Sequence, residues 1–328
     1  MTKISRMPVA PALGDSEPLD SFCAIASRAA GEDPIGTATP YQTYVLIECP
    51  QPWPPKVLKS AALPAALRQF MAAMQAEHSV NFLLVDPGQR HEGTRVMVYQ
   101  QPTGLAQGYQ GTEFWVDSLD GLAARLRQIW QAGSLEGKAI ERRDILVCTH
   151  GQRDRCCARY GRPFYRQAVK AVENAGLTDD VRVWQVSHIG GHRFAPTVLD
   201  LPQGRCYGRL TPETFGAILT RSGPIGPLKS VYRGWTRLPQ PLQVLERQLM
   251  LDYGWVWFEQ QVDYAILELG DGHLSVKLSV QSPAGTLKTY CAEIAPDPEQ
   301  ACQLKTSCNA DQASEVVKYG VAEGYWAE

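Results

Sequence analysis

The order of periodic segments constrains this chain most, because one succession, β-α-β-β-β-α, can be read twice along it. In the first pass TYVLIEC (43–49) reads as a buried strand, and the breaker-rich PQPWPPK follows. Residues 57–77 carry Leu63, Leu67, Phe70, Met71 and Met74 at helical spacing, which predicts an amphipathic helix kinked near Pro64. VNFLLVD (80–86), TRVMVYQ (94–100) and TEFWVDS (112–118) read as three strands separated by glycine-containing turns. Ser118 then caps a helix that carries Leu122, Leu126, Ile129 and Trp130. The second pass follows the polar AGSLEGKAIERRD. It runs through the strand DILVCTH (144–150), a helix over 163–175 stopped by Gly176, and the strand VRVWQVSHI. TVLDLP and RCYGRL add two more strands, and Thr211 caps the helix TPETFGAILT.

A βαβ unit joined to a hairpin and a closing helix is the thioredoxin-like arrangement. The expected fold class is therefore α/β: two thioredoxin-like halves with mixed sheets, plus a small β-rich C-terminal appendage. The boundaries that follow are a flexible arm over 1–20, a first half over 21–135, a second over 142–225, and a proline-rich connection with a β-rich region over 226–328. Within the last region the pattern predicts a helix over 242–250 and a hairpin turning at Asp271–Gly272. A strand over 287–294 and a short helix over 311–321 complete it.

Composition narrows the function classes. With 328 residues the chain can bury more than one core. A net charge of −2 gives no electrostatic support to a general nucleic-acid role. The longest apolar runs are strand-length, so no membrane span is expected. The first twenty residues lack the apolar core of a secretory signal. Nine cysteines, an odd number in a large chain, then read as reduced thiols in a cytoplasmic compartment.

The chemistry concentrates between Ile145 and Ala195. Cys148 ends a strand, and Cys157 stands near a helix start among Arg153, Arg155 and Arg159, where the thiolate is favoured. His188 and His192 leave the next strand, and Gly190–Gly191 between them permits a turn that brings both imidazoles to one ion. Two thiolates and two imidazoles suit zinc or an iron–sulfur cluster about equally by ligand type. There is no CxxC pair, and the eight residues between the cysteines suit a loop around a larger cluster. The HxxxH pair follows a β pattern and lacks the glutamate of zinc proteases. A dinucleotide fingerprint, a P-loop and GxSxG are also missing, so no catalytic residue is assigned and a non-enzymatic role is expected. In the first half Cys49 ends its strand as Cys148 does, but no second cysteine or HxxxH follows, so no metal is expected there.

CTHGQRDRCC followed by HIGGHRFAPTV resembles the sucrase/ferredoxin-like family over about residues 143–219. The resemblance implies a thioredoxin-like ferredoxin domain whose C-x8-C and H-x3-H pairs, here Cys148, Cys157, His188 and His192, hold a [2Fe–2S] cluster; by ligand type, zinc stays the alternative metal. The family spacing favours Cys157 over Cys156, which is left as an alternative ligand or a thiol near the cluster. His150 is a candidate donor behind Cys148. A soluble iron–sulfur electron carrier or redox sensor is the expected function, and a structural zinc site in a non-catalytic binding module is the alternative. The expected partner is a protein reductase or acceptor, steered to the cluster by Arg153, Arg155, Arg159 and Arg193.

Overall fold

The computed structural model describes residues 22–88, 92–133 and 137–327; the arm expected over 1–20 lies outside them. After α1 (Cys23–Ala29), the first repeat is β1 (Thr43–Glu48), α2 (Ala65–Glu77), β2 (Val80–Asp86), β3 (Thr94–Gln100), β4 (Gln110–Val116) and α3 (Leu122–Ala132). A two-residue strand, β5 (Lys138–Ala139), leads to the second repeat. This is β6 (Arg143–Cys148), α4 (Arg162–Asn174), β7 (Val181–Val186), β8 (Val198–Leu201), β9 (Arg205–Tyr207) and α5 (Pro212–Thr220). The expected order holds in both, in a mixed α/β fold with six α-helices among the described residues. Two boundaries differ. The helix expected over 57–77 is a 3-10 turn at Val57–Lys59 and then α2, because Pro64 adopts extended geometry as the N-cap instead of kinking a continuous helix. Ser118 caps a 3-10 turn that runs into α3, and Thr211 forms a capping box on α5.

Pairing is identical in the two repeats. β1 runs parallel to β2 and antiparallel to β3, which pairs antiparallel with β4; β6 does the same with β7, β8 and β9. The repeats share one ten-stranded sheet, because β2 and β7 pair edge to edge through Val85↔Val186 and Asp86↔Gln185. The outer strand on the second side is β10 (Tyr232–Trp235), which lies in the proline-rich stretch read from sequence as irregular.

That sheet is not flat. In sheet order β3 and β6 are four spacings apart, which is about 19 Å across a flat sheet. Yet the Tyr99 hydroxyl of β3 donates to the Asp144 carboxylate of β6. The sheet therefore folds over at its two-pair junction, and the inner faces of the repeats pack on each other. Strand alternation sorts the side chains accordingly. Val45 and Ile47 of β1 face α2 and α3, and Ile145 and Val147 of β6 face α4 and α5. Tyr44 and Leu46, with Leu146 and Cys148, meet between the folded halves.

Asp144, fully buried, holds this seam. Arg182 of β7 donates to it through Nε and Nη2 at 2.7 and 2.8 Å, and Trp184 Nε1 donates at 2.7 Å. Arg182 Nη1 continues to Glu113 of β4 at 2.7 Å, so one guanidinium joins both repeats.

The C-terminal region packs into the core of the second repeat. Leu245, Leu249 and Met250 of α6 (Leu242–Tyr253) meet Val276, Leu278, Tyr290 and Ile294. These last belong to the sheet of β11 (Gln261–Gly270), β12 (His273–Gln281), β13 (Leu287–Pro296) and β16 (Tyr319–Trp326). The hairpin turns at Asp271–Gly272, both at positive φ, as expected. The helix expected over 311–321 is instead β15 (Ser314–Val316), paired with β14 (Cys302–Leu304), and the start of β16. Pairing of β15 with β14, and of β16 with β13, outweighs the modest helix propensity of DQASEVV and the residues after it.

Replacing Asp144 by Ala leaves Arg182 and Trp184 without their buried acceptor. It should cost about 3–5 kcal/mol, read as a lower urea midpoint with an unchanged slope; an unaltered midpoint would show that the seam does not depend on this carboxylate.

Candidate metal centre

The ends of β6 and β7 lie side by side at the seam, with Cys148 paired in register to Val186. Beyond β6 the chain makes a tight loop and enters a π-helical turn, Cys157–Gly161, before α4. Gly161 is required there, since a Cβ would lie 2.0 Å from the Cys148 carbonyl oxygen. This close approach brings Cys157 beside Cys148. Cys148 Sγ, Cys157 Sγ and a ring nitrogen of His188 all lie within 4.8 Å of one another, and both cysteines are only 1% exposed. Cys157 Sγ is 3.8 Å from His188 Nδ1.

A hydrogen bond from Cys157, working against burial, holds the Cys148 thiol well below its ordinary range. The same hydrogen bond, together with burial, pushes Cys157 well above it. The opposed shifts make Cys148 the sulfur whose thiolate, the form that ligates, is favoured, with Cys157 as its donor.

His150 is buried within the seam. Its Nε2 lies 3.0 Å from the Pro54 carbonyl and 3.2 Å from that of Trp53, and its Nδ1 accepts from the His188 backbone N–H at 3.2 Å. That arrangement is the neutral tautomer protonated on Nε2, and burial depresses its basicity. The first repeat, through its β1–α2 loop, thereby orients the backbone of His188.

His192 stands outside the three-residue group. Its ring centroid is 5.1 Å from that of His188, and its Nδ1 lies 3.1 Å from Asp154 Oδ2 and 3.4 Å from Cys23 Sγ. Burial works to raise the Asp154 pKa, but the hydrogen bond and charge of His192 outweigh it and hold the carboxyl below the usual range. The turn between the histidines uses Gly190 and Gly191 at φ +82° and +69°. Arg233, buried, donates to the Gly190 carbonyl at 3.1 Å and to that of Thr37 at 2.6 Å. A Cβ on Gly191 would lie 2.3 Å from its guanidinium carbon.

Cys156 faces away from Cys148, toward Cys23 and Cys308, and the three are 133 to 285 residues apart from one another in sequence. Hydrogen bonding with Cys156 and Cys23 outweighs burial and holds the Cys308 thiol down to about 3. The Cys23 hydrogen bond pulls Cys156 downward, but that of Cys308 and burial outweigh it and push it up to about 12. Nothing local in the sequence marks this second grouping except the adjacency of Cys156 and Cys157. Among the arginines, Arg153, Arg155 and Arg159 are exposed, with Arg155 and Arg159 lying over the Phe22 ring at 5.1 and 4.7 Å. Arg193 is turned inward, with Nε donating to the buried Glu32 carboxylate at 2.9 and 3.0 Å.

Alanine at Gly191 combines a left-handed backbone with a clash against an immobile guanidinium. It should lower stability by about 2–4 kcal/mol. Alanine at Gly176, at φ +68° with open space around it, should cost only about 1 kcal/mol. Equal midpoints for the two variants in thermal melts would refute the role of Arg233 in shaping this turn.

The sucrase/ferredoxin-like family model matches residues 34–234. A protein of Debaryomyces hansenii named altered inheritance of mitochondria protein 32 is 38% identical over 96 residues, 27% of this chain and 34% of that protein. Proteins of the same name from Meyerozyma guilliermondii and Clavispora lusitaniae are 30% identical over 95 residues and 34% identical over 96, again covering 34% of each. The chain thus matches about a third of the length of these curated relatives. No solved structure matches it. These findings correct the functional expectation of an iron–sulfur electron carrier or redox sensor, or else a structural zinc module: the relatives are named for inheritance of mitochondria, and neither their name nor the match assigns electron transfer. Among the described residues no helix is long and apolar enough to cross a membrane. With its model matched across both repeats, the cysteine–histidine loops of the second included, the chain belongs to the sucrase/ferredoxin-like family.

Proposed function

We infer that this protein binds a metal cofactor at the seam, through Cys148, Cys157 and His188, with His192 as the fourth donor. The observation that carries the reading is the convergence of two buried thiols and an imidazole from two strand ends and the π-helical turn between them. The donor set fits the group: soft sulfur with imidazole nitrogen suits a [2Fe–2S] cluster first and zinc second. Once neutral, with its proton on Nδ1 toward Asp154, His192 would present Nε2 to the metal, the carboxylate–histidine pattern that commonly backs metal ligands. His150 plays the corresponding part for His188 by fixing its backbone. When bound, the group supplies a cationic centre that ties four side chains from the loops after β6 and β7 into one unit.

The repeated β-α-β-β-β-α topology, with its shared strand order, supports a thioredoxin-like reading of each half. Nine free cysteines accord with a reducing, cytoplasm-like compartment. Arg153, Arg155 and Arg159, exposed beside the site, suit an acidic protein partner. Arg193 does not belong to that surface, because Glu32 engages it.

The test is metal and sulfide analysis of protein purified without oxygen, together with its visible absorption. Iron and sulfide in equal amounts, with a coloured solution, are expected. Cys148→Ser, Cys157→Ser and His188→Ala should each lower that content by about tenfold or more. Iron and zinc contents unchanged by Cys148→Ser/Cys157→Ser would overturn the assignment.

A further inference from the structure

A second sulfur cluster lies beyond His192, built from parts of the chain that local sequence does not connect. Cys23 comes from the first turn of α1, Cys156 from the entry to the π-helical turn, and Cys308 from the loop between β14 and β15. Their Sγ atoms form a closed triangle: 3.5 Å from Cys23 to Cys156, 3.3 Å from Cys156 to Cys308 and 3.6 Å from Cys308 to Cys23. All three are free thiols. Asp154 joins them, and one donor atom from each of the four residues lies within 4.8 Å of the others.

We propose that Cys23, Cys156, Cys308 and Asp154 form a second metal site, one that takes a zinc ion. Tetrahedral zinc about 2.3 Å from each thiolate places the sulfurs about 3.8 Å apart, close to the triangle seen. Thiolate and carboxylate are both ordinary zinc ligands, and three sulfurs favour a soft or borderline cation over magnesium or calcium.

The surroundings are those of a closed structural site. Phe22, Ala24 and Ala195 wall it with apolar surface, and Cys23 and Cys156 are buried. The Asp154 carboxylate is already oriented by backbone donors: Oδ1 accepts from Cys156 N at 2.9 Å and Oδ2 from Cys308 N at 3.0 Å. Ser307 Oγ adds a third donor at 3.2 Å. Three thiolates and a carboxylate around a divalent ion leave net negative charge, and Arg28, Arg155 and Arg159 gather on Phe22 and Tyr160 at its edge. Binding releases the thiol protons to solvent and needs no oxidant or reductant.

The ion would fasten α1 and the C-terminal loop to the second repeat, which explains why three remote cysteines meet at one point. Nothing in this requires the Cys148 group to be occupied. Asp154 nonetheless touches both sites, through Oδ1 beside Cys23 and Oδ2 against His192.

Zinc per chain and intact mass are measured on full-length protein produced with zinc in the medium, in three forms: wild type, Cys148→Ser/Cys157→Ser, and Cys23→Ser/Cys308→Ser. About one zinc per chain should survive in the first variant and vanish in the second. Metal lost only from the first variant would instead assign all zinc to the Cys148 group and overturn the second site. Zinc content unaffected by Cys23→Ser/Cys308→Ser, or a disulfide among the three cysteines in protein handled without oxidant, also overturns it. If the second variant fails to fold, alkylation of wild type decides: zinc should slow labelling of Cys23, Cys156 and Cys308 by about tenfold or more relative to the partly exposed Cys291 and Cys302. Equal rates with and without zinc refute the site.

Discussion

One buried carboxylate governs the architecture. Asp144 accepts from Arg182 and Trp184 of its own repeat and from Tyr99 of the other, and Arg182 passes the linkage on to Glu113. A buried charge is tolerated only when it is fully paired, so this network fixes the angle at which the two halves of the sheet close. The edge junction itself contributes just two residue pairs and leaves that angle free. Closing the sheet creates the dry layer between the repeats, and the inner-facing ends of β6 and β7 open at its edge.

The site inherits its form from that closure. Alternation along β6 turns Cys148 inward, and the first repeat supplies the two carbonyls that hold His150, which in turn holds the His188 backbone. A half without the cysteine and histidine pairs therefore takes part as a wall of the centre. Cys156 and Cys157 illustrate how little room there is for ambiguity once the helix starts. Consecutive residues on a helix point about 100° apart, which turns the two neighbouring thiols to different sides. Cys157 turns to Cys148, and Cys156 turns to Cys23 and Cys308.

The repeat order, the paired strands and the helix caps at Ser118 and Thr211 were legible in the residues because each depends on local periodicity or on a side chain a few positions away. The helix expected over 311–321 is absent for the opposite reason: β15 and β16 form where distant strands, β14 and β13, offer them edges. The strand within the proline-rich stretch, Tyr232–Trp235, likewise depends on pairing with β9. The cysteine and histidine pairs around 148–192 stood out by spacing alone. The grouping of Cys23 with Cys156 and Cys308 did not, since no spacing rule reaches across so much chain.

By itself, then, the sequence determined the twofold recurrence and most local elements, which short-range steric and hydrogen-bonding preferences set, and the 148–192 motifs, which carry the family resemblance. Tertiary structure alone decided that the repeats share one folded sheet, that His150 is a buried brace and that Arg193 serves Glu32. It also decided which sulfur faces which cluster. These outcomes depend on burying charge and apolar surface between segments distant in the chain, and such burial is defined only once the whole chain has closed.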